Sequence, residues 1–316
     1  MTATLVPAPD IEREHRFAPR RVRFDYAGTP VHWVPGDPHT THVANVLHLL
    51  LPAGEGWFVD VYRKALPLID DAPLRRDVKA FIGQEATHAR AHTVVLDHLA
   101  ERGIDPTGFT RLVEWGFHQG RPRVMWSWLP APVRSRLDRS FLLWQLAVIS
   151  AIEHFTAVLG WWIVVTRGLD RAGADPEMMA LLRWHGAEEV EHRSVAFDMY
   201  QHCGGREPLR YVRRVGTMAV TAPVMLGMWI WGAAHLIRHD PGLAGRLGYS
   251  MREHQKAARK GLLPAWSLLG AAIPRYFRWS YHPSQEGSPA LALAYLASSP
   301  AARAAEGGSA AVDGEE

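Results

Sequence analysis

The sequence predicts an all-α protein built around a four-helix bundle. Apolar residues recur at the three-to-four-residue spacing of an α-helix along several long segments. Hydrophobic residues make up 47% and charged residues 21% of the 316 residues, which is typical of a globular chain with a sizeable core. Two of the helical segments also carry the same Glu-x-x-His spacing, at Glu85–His88 and Glu189–His192. On a helix this spacing places both side chains on one face, where they can reach one metal ion.

The first 40 residues are expected to form an irregular N-terminal arm rich in Pro, Arg and His. No continuous apolar run opens the chain, so we expect no signal peptide and a cytoplasmic location. The formal net charge is only +3 and the arginines are scattered. The cluster Arg20, Arg21 and Arg23 is therefore expected to be solvated, and no nucleic-acid partner is expected. The single cysteine, Cys203, excludes an internal disulfide and a Cys-rich metal site.

The bundle is predicted over residues 41–205. A short apolar helix at Val43–Leu51 is expected to end at Pro52, because proline suits the first position of a new helix. Residues 104–133 contain four prolines and are expected to form a long crossover with some helix of its own. The four main helices are predicted at about Pro52–Leu68, Pro73–Arg102, Val133–Arg167 and Pro176–His202.

The third predicted helix contains an unusual buried carboxylate. Glu153 is the only formally charged residue between Phe141 and Thr166. An ionised glutamate in such apolar surroundings is very costly to bury without a partner. Glu153 is therefore protonated, paired or bound to a cation.

Counting along the predicted helices places the four glutamates at two matching depths. Glu55 and Glu85 each lie about 15 residues from the first turn, or roughly 22 Å at the helical rise. Glu153 and Glu189 each lie about 18 residues from the last turn. Each plain glutamate thus faces a Glu-x-x-His motif, as a dinuclear carboxylate site in a four-helix bundle requires. The predicted metal ligands are Glu55, Glu85, His88, Glu153, Glu189 and His192.

Four carboxylates and two imidazoles balance the charge of two divalent ions. Oxygen and nitrogen ligands without thiolate suit iron best, with manganese or zinc as alternatives. The alternative interpretation of both Glu-x-x-His motifs is a buried hydrogen-bonded pair without metal. Three neighbouring residues are candidate catalytic groups: His92, His185 and Glu188. The two histidines lie one turn from predicted ligands, whereas Glu188 points to a neighbouring face and could pair with an arginine.

The motifs together resemble one family. They read PAGEGWF around Glu55, GQEATHARAH around Glu85, AIEHF around Glu153 and WHGAEEVEHRSVAFD around Glu189. Over residues 40–240 the chain resembles the bacterial predicted metal-dependent hydrolases, which are similar to ferritin-like di-iron carboxylate enzymes. The resemblance implies a ferritin-like bundle in which Glu85 and Glu189 bridge the two metals. The additional residues His92, His154, His185 and Glu188 depart from that pattern.

Relatives with this metal-site pattern imply an oxygen-dependent di-iron oxidase or monooxygenase. Such an enzyme would act on a small apolar organic substrate and would need O₂ and an electron donor. One alternative is a two-metal hydrolase that uses a metal-bound water, although its usual motifs, such as His-Glu-x-x-His, are missing from the sequence. The other alternative is a metal-binding bundle without enzymatic activity.

Residues 206–283 are predicted to add hydrophobic helices that pack on the bundle or associate with a membrane. Val215–Ile237 has 23 residues without a formal charge, which permits a transmembrane span. Pro223 and His235 favour instead a buried or membrane-surface helix. The tryptophan pairs, at 161–162 and 229–231, are expected to be core or interface residues, or to line a substrate tunnel. Residues 284–316 are predicted to form a flexible tail, and a homo-oligomer remains open.

Overall fold

The computed structural model describes residues 17–118, 126–245 and 248–305. Within these ranges the regular structure is helical throughout and contains no strand, which confirms the all-α prediction. The α-helices are α1 (Pro38–Ala65), α2 (Ala72–Glu101), α3 (Thr107–His118), α4 (Ala131–Val165), α5 (Gly168–Arg171), α6 (Pro176–His192), α7 (Val195–Cys203), α8 (Leu209–His239), α9 (Met251–Arg259), α10 (Trp266–Tyr276) and α11 (Pro289–Ser298).

Three of the helices at the centre of the fold begin with an aspartate N-cap. The side chain of Asp37 accepts a hydrogen bond from the Thr40 amide at the start of α1. Asp71 and Asp175 do the same for α2 and α6. Each aspartate is followed within two residues by a proline, which lacks the amide hydrogen that a first helical turn leaves unused. The sequence thus fixes where these helices start.

The helices pack as two neighbouring pairs. Helix α1 packs along α2, and α4 packs along α6, while α2 contacts α6 and α7 across the bundle. The observed α2 and α4 lie within two residues of the predicted second and third helices. The expected crossover does contain a helix of its own, α3, which packs against α1. The specific likeness to ferritin-like proteins stays a prediction.

Two glycines set the distance between α4 and α6. A Cβ added at Gly186 would lie 2.4 Å from Ile163 Cγ2 and 2.9 Å from the Cα of Gly160. A Cβ added at Gly160 would lie 2.4 Å from the carbonyl oxygen of Gly186. The two helices therefore touch backbone to backbone at this crossing, which brings Glu189 of α6 close to α4.

Two predicted helix boundaries are wrong. Pro52 lies inside the single helix α1 and does not begin a new one. Proline removes one backbone hydrogen bond, but α1 packs against α2, α3 and α8 along its length, and this packing outweighs the local signal. The fourth predicted helix is interrupted after His192 and resumes at Val195. At this break the guanidinium of Arg193 donates to the Val190 carbonyl oxygen, the acceptor that an uninterrupted helix would use four residues later.

The C-terminal region packs onto the bundle. Helix α8 contacts α4 and α1, and α11 contacts α6. Residues 17–37 form the non-helical arm, and the sequence N-terminal to them lies outside the described part. The flexible tail predicted from residue 284 is wrong for its first part, because α11 buries Ala292 and Leu296 in the core. Residues 306–316 lie outside the described ranges.

Two of the described helices, Ala131–Val165 and Leu209–His239, are long and apolar enough to cross a membrane. The first is a mostly buried core helix, which passes the same test for that reason.

Candidate metal centre

The six predicted metal ligands come together in the interior of the bundle. Helix α1 supplies one glutamate, α4 supplies another, and α2 and α6 each supply a Glu-x-x-His motif. All six side chains are buried. Nine of their nitrogen and oxygen atoms have no hydrogen-bond partner: both carboxylate oxygens of Glu55, Glu85 and Glu153, Oε2 of Glu189, Nδ1 of His88 and Nε2 of His192.

Buried polar atoms normally have partners, since an unpaired one costs about 1–3 kcal/mol. Nine unpartnered atoms in one cluster therefore make it a candidate site for cations. The donor set of carboxylates and imidazoles without thiolate fits divalent ions such as iron, manganese or zinc.

One group of donors forms a first candidate position for a metal ion. Glu55, His88, His185 and Glu189 each offer an atom within 4.8 Å of the others. Nε2 of His185 lies 2.8 Å from Oε1 of Glu189 and 3.5 Å from Oε1 of Glu55. Nδ1 of His88 lies 3.5 Å from the same oxygen of Glu189. His185, expected to be a catalytic neighbour, thus lies among the candidate ligands.

A second group lies beside the first. Glu85, Glu189 and His192 offer atoms within 4.8 Å of one another. Nε2 of His192 lies 3.4 Å from Oε1 of Glu85, 3.4 Å from Oε2 of Glu189 and 3.3 Å from Oε2 of Glu153. Glu189 belongs to both groups and turns one oxygen to each. This geometry suits a carboxylate shared between two ions.

The pKa values of three buried glutamates and of His192 are also shifted in the directions expected for a cluster that lacks positive charge. Burial, together with the neighbouring carboxylates, raises the pKa of Glu55 and Glu85 well above the usual range. The same causes raise the pKa of Glu153 to about 7. Although burial alone would lower it, the carboxylates of Glu189 and Glu153 raise the pKa of His192 to about 10. The buried cluster thus disfavours several ionised carboxylates together, and bound cations would favour their ionised form.

The residue before each Glu-x-x-His motif reaches across to the histidine of the other motif. Oε2 of Glu188 lies 2.9 Å from Nε2 of His88, and Oε1 of Gln84 lies 3.0 Å from Nδ1 of His192. Each contact fixes the ring so that its other nitrogen faces the carboxylates. Glu188 is therefore a supporting residue. The Gln84 role was not predicted, although its match with Glu188 in the two motifs is a signal for it.

Arg20 holds this support in place. Its guanidinium donates to Glu188 at 2.8 Å and to Glu191 at 2.8 and 3.0 Å. The prediction of a solvated arginine cluster is wrong for Arg20, which is buried, whereas Arg21 and Arg23 are exposed. The reason is a pair of carboxylates on α6, distant in sequence, which compensates the burial of the charge.

A chain of buried histidines leads away from the first position. Nδ1 of His185 lies 2.6 Å from Nε2 of His92, and Nδ1 of His92 lies 2.7 Å from Nδ1 of His48. His92 thus contacts a candidate ligand without joining the carboxylates. His48 was not predicted, although it precedes Glu55 by seven residues and so shares its helix face.

His154 lies apart from the centre. Its ring lies 2.7 Å from the Tyr281 hydroxyl and 3.0 Å from the Ala272 carbonyl oxygen. Burial lowers the pKa of His154 to about 4, so the neutral ring is a structural link between α4 and the C-terminal region.

An apolar cavity of about 750 Å³ extends to the first metal position. His185 and Glu189 lie in its lining, while the other candidate ligands, Glu55, Glu85, His88, Glu153 and His192, do not. Most of the lining is aliphatic and aromatic and comes from α1, α4, α8 and α10, with Trp162 and Trp229 among these residues. The tunnel alternative for the tryptophans is thus the one that the structure favours at these two positions.

A separate His–Asp cluster lies at the end of α8. Oδ2 of Asp240 lies 2.5 Å from Nε2 of His32 and 2.7 Å from Nε2 of His42. The other oxygen of Asp240 accepts a hydrogen bond from the Gly242 amide. The carboxylate is fully hydrogen-bonded, unlike those of the metal centre, and it ties the N-terminal arm and α1 to the end of α8.

Comparison with known proteins assigns the family. The family profile described as "predicted metal-dependent hydrolase" matches residues 18–287. The chain therefore belongs to this family, and the match covers both Glu-x-x-His motifs and the helices that line the cavity. No curated protein and no solved structure matches the chain.

Proposed function

We propose that this chain is a dinuclear metal-dependent hydrolase that cleaves an ester or amide of a long hydrocarbon chain. One observation carries the proposal: the apolar cavity ends at the first metal position, beside His185 and Glu189. A hydrocarbon chain in the cavity would thus place its polar end next to the centre. The family description supports a hydrolytic reaction.

Two divalent ions, when bound, would supply an activated water and polarise the scissile carbonyl. The residues of the chain hold and orient this centre. Glu189 would be shared between the ions, with Glu55, His88 and His185 on the cavity side. Glu85, Glu153 and His192 would complete the second position. Glu188 and Gln84 keep the two motif histidines turned towards their ligand positions.

The cavity residues select the substrate and exclude water. Among the described residues that line it there is no lysine or arginine, so no cationic lysine or arginine side chain is present along it to pair with an anionic substrate chain. Each methylene group buried against the lining contributes about 0.8 kcal/mol. Affinity is therefore expected to rise with chain length until the cavity is filled.

A di-iron oxidase or monooxygenase is the second candidate. The specific observation in its favour is the ligand set, with two plain glutamates facing two Glu-x-x-His motifs inside a helical bundle. An apolar cavity also limits the access of water to a reactive intermediate. This function requires iron, O₂ and an electron donor.

Metal content and substrate assays separate the two candidates. The protein is loaded without oxygen with zinc, manganese or iron and assayed with p-nitrophenyl esters of increasing chain length. A hydrolase releases nitrophenol without oxygen, faster with longer chains, and loses this activity in Glu189→Ala. The matched control Glu101→Ala changes an exposed glutamate on α2 and keeps it.

If neither these esters nor the matching p-nitroanilides are cleaved while the iron-loaded protein consumes oxygen in the presence of a reductant, the oxidase is correct. If no metal binds in stoichiometric amount, both candidates fail.

A further inference from the structure

Helix α8 exposes an apolar stripe along much of its length. Its exposed residues repeat at helical spacing from Val212 to Trp231, which spans about 28 Å at the helical rise. Val220, Val224 and Trp231 are 62%, 52% and 53% exposed. The stripe consists of Val212, Gly216, Ala219, Val220, Pro223, Val224, Leu226, Gly227 and Trp231.

Such a stripe marks a surface that contacts something apolar. A soluble surface rarely keeps a contiguous apolar patch of this kind without a partner. The opposite face of α8 is packed on α1 and α4, so the helix belongs to the fold and does not cross a bilayer alone. An amphipathic helix held in this way lies in the membrane interface with its apolar face turned to the lipid.

The charges around the stripe suit a lipid headgroup layer. No charged residue lies between Gly216 and Trp231, and the nearest charges along α8 are arginines, at Arg213, Arg214 and Arg238. Helix α9 adds exposed basic residues at Arg252 and Arg259. Basic residues beside an apolar face favour anionic lipid surfaces, at about 1 kcal/mol for each residue near the surface.

The stripe is continuous with the mouth of the cavity. Leu226 of α8 and Met251 of α9 both line the cavity and are 41% and 47% exposed. These two residues therefore form part of the rim. A bilayer that covers the stripe would also cover this mouth, and a hydrocarbon chain could pass from lipid to cavity without crossing water.

We propose that this chain docks on an anionic lipid surface through the α8 stripe and α9, and that its cavity opens towards that surface. The inference of docking rests only on the exposed stripe and on the basic residues beside it. The statement that the substrate enters from the bilayer rests on the proposed function.

Vesicle sedimentation with the full-length protein tests the docking. The vesicles are phosphatidylcholine, with or without phosphatidylglycerol. We expect the protein to bind the mixed vesicles. The partition coefficient of the double variant Val220→Glu/Val224→Glu should be lower by about tenfold or more. Neither valine lines the cavity. The matched control Val94→Glu changes an exposed valine on α2 and keeps binding.

A second pair of variants tests the charges. Arg252→Gln/Arg259→Gln is expected to weaken binding to the mixed vesicles and to leave the weaker binding to phosphatidylcholine unchanged. Rising salt should have the same effect as the two substitutions, because it screens the headgroup charge.

Three results would overturn the proposal: no binding to either vesicle, equal binding of the stripe variant, or a dimer in solution that the stripe variant dissociates. The last would show that a second copy covers the stripe. Glu189→Ala is expected to bind vesicles normally although it loses metal, so a failure of docking and a failure of the proposed hydrolase can be told apart.

Discussion

The two metal positions share one glutamate but have different surroundings. The first, with Glu55, His88 and His185, borders the apolar cavity. The second, with Glu85 and His192, faces the core, where the Phe81 ring packs edge-on at 4.7 Å from the His192 ring. Among the residues that belong to one group alone, only His185 of the first group lines the cavity. We therefore expect a substrate in the cavity to approach the first position.

The supports of the two motif histidines differ as well. Nε2 of His88 contacts Glu188, whose carboxylate also accepts a hydrogen bond from the buried guanidinium of Arg20. His192 contacts the neutral amide of Gln84. A carboxylate makes an imidazole a stronger donor than an amide does. The asymmetry suggests that the two positions differ in affinity as well as in access.

Substitution of Glu189, which belongs to both groups, is expected to have the largest effect on metal content. Glu189→Ala is expected to lose both metal ions, because each position loses a carboxylate oxygen. Glu55→Ala is expected to lose mainly the first ion, and Glu153→Ala mainly the second. Metal analysis of the purified variants measures this. Two ions retained in Glu189→Ala would contradict the shared geometry.

Substitutions at Glu188 and Gln84 test whether the two positions differ in metal affinity. Glu188→Gln is expected to weaken metal affinity at the first position by about 10- to 100-fold, because His88 loses its carboxylate partner. Gln84→Glu should leave the first position unchanged. Competition titration with a chelating dye measures both affinities. Equal losses at the two positions in Glu188→Gln would show that the supports are not separate.

A larger side chain in the cavity tests the difference in access. Leu159 lines the cavity on α4. Leu159→Trp is expected to lower kcat/KM for long-chain esters by about tenfold and to spare the shortest ester, with unchanged metal content. If long and short substrates are affected equally, the cavity does not hold the hydrocarbon chain.

His154 offers the smallest effect, on stability. Its pKa of about 4 lies below the usual histidine value near 6.5. The unfolded chain therefore binds the proton more readily, and stability is lost as pH falls from about 6.5 towards 4. Between pH 7.5 and pH 5 the loss is about 2 kcal/mol for this residue, at about 1.4 kcal/mol per pKa unit.

Denaturant unfolding of the metal-free protein at these two pH values measures the effect. His154→Gln should be less stable at pH 7.5 and should show a pH dependence smaller by about 2 kcal/mol. An unchanged pH dependence in the variant would assign the acid sensitivity to other groups.

Local patterns predicted much of this fold. The apolar periodicity located α2 and α4, because this signal acts within one or two helical turns. The same periodicity placed Glu85, His88 and Glu153 on inward faces, where the structure has them. Their role as metal ligands remains a prediction that the unpartnered atoms support.

Contacts between distant segments could not be predicted in the same way. Arg20 is buried because two carboxylates lie more than 160 residues away along the chain. Pro52 stays inside α1 because packing overrides the local signal. The cavity depends on α8 and α10 closing over α1 and α4, which no single segment encodes.

Anomalous diffraction from crystals of manganese-loaded protein tests the central claim most directly. The account predicts two metal peaks about 3.5–4 Å apart, the usual spacing of two-metal sites. Glu189 should contact both ions, and only the ion beside Glu55 and His185 should face the cavity. A single peak, or no peak among these residues, would contradict the dinuclear centre.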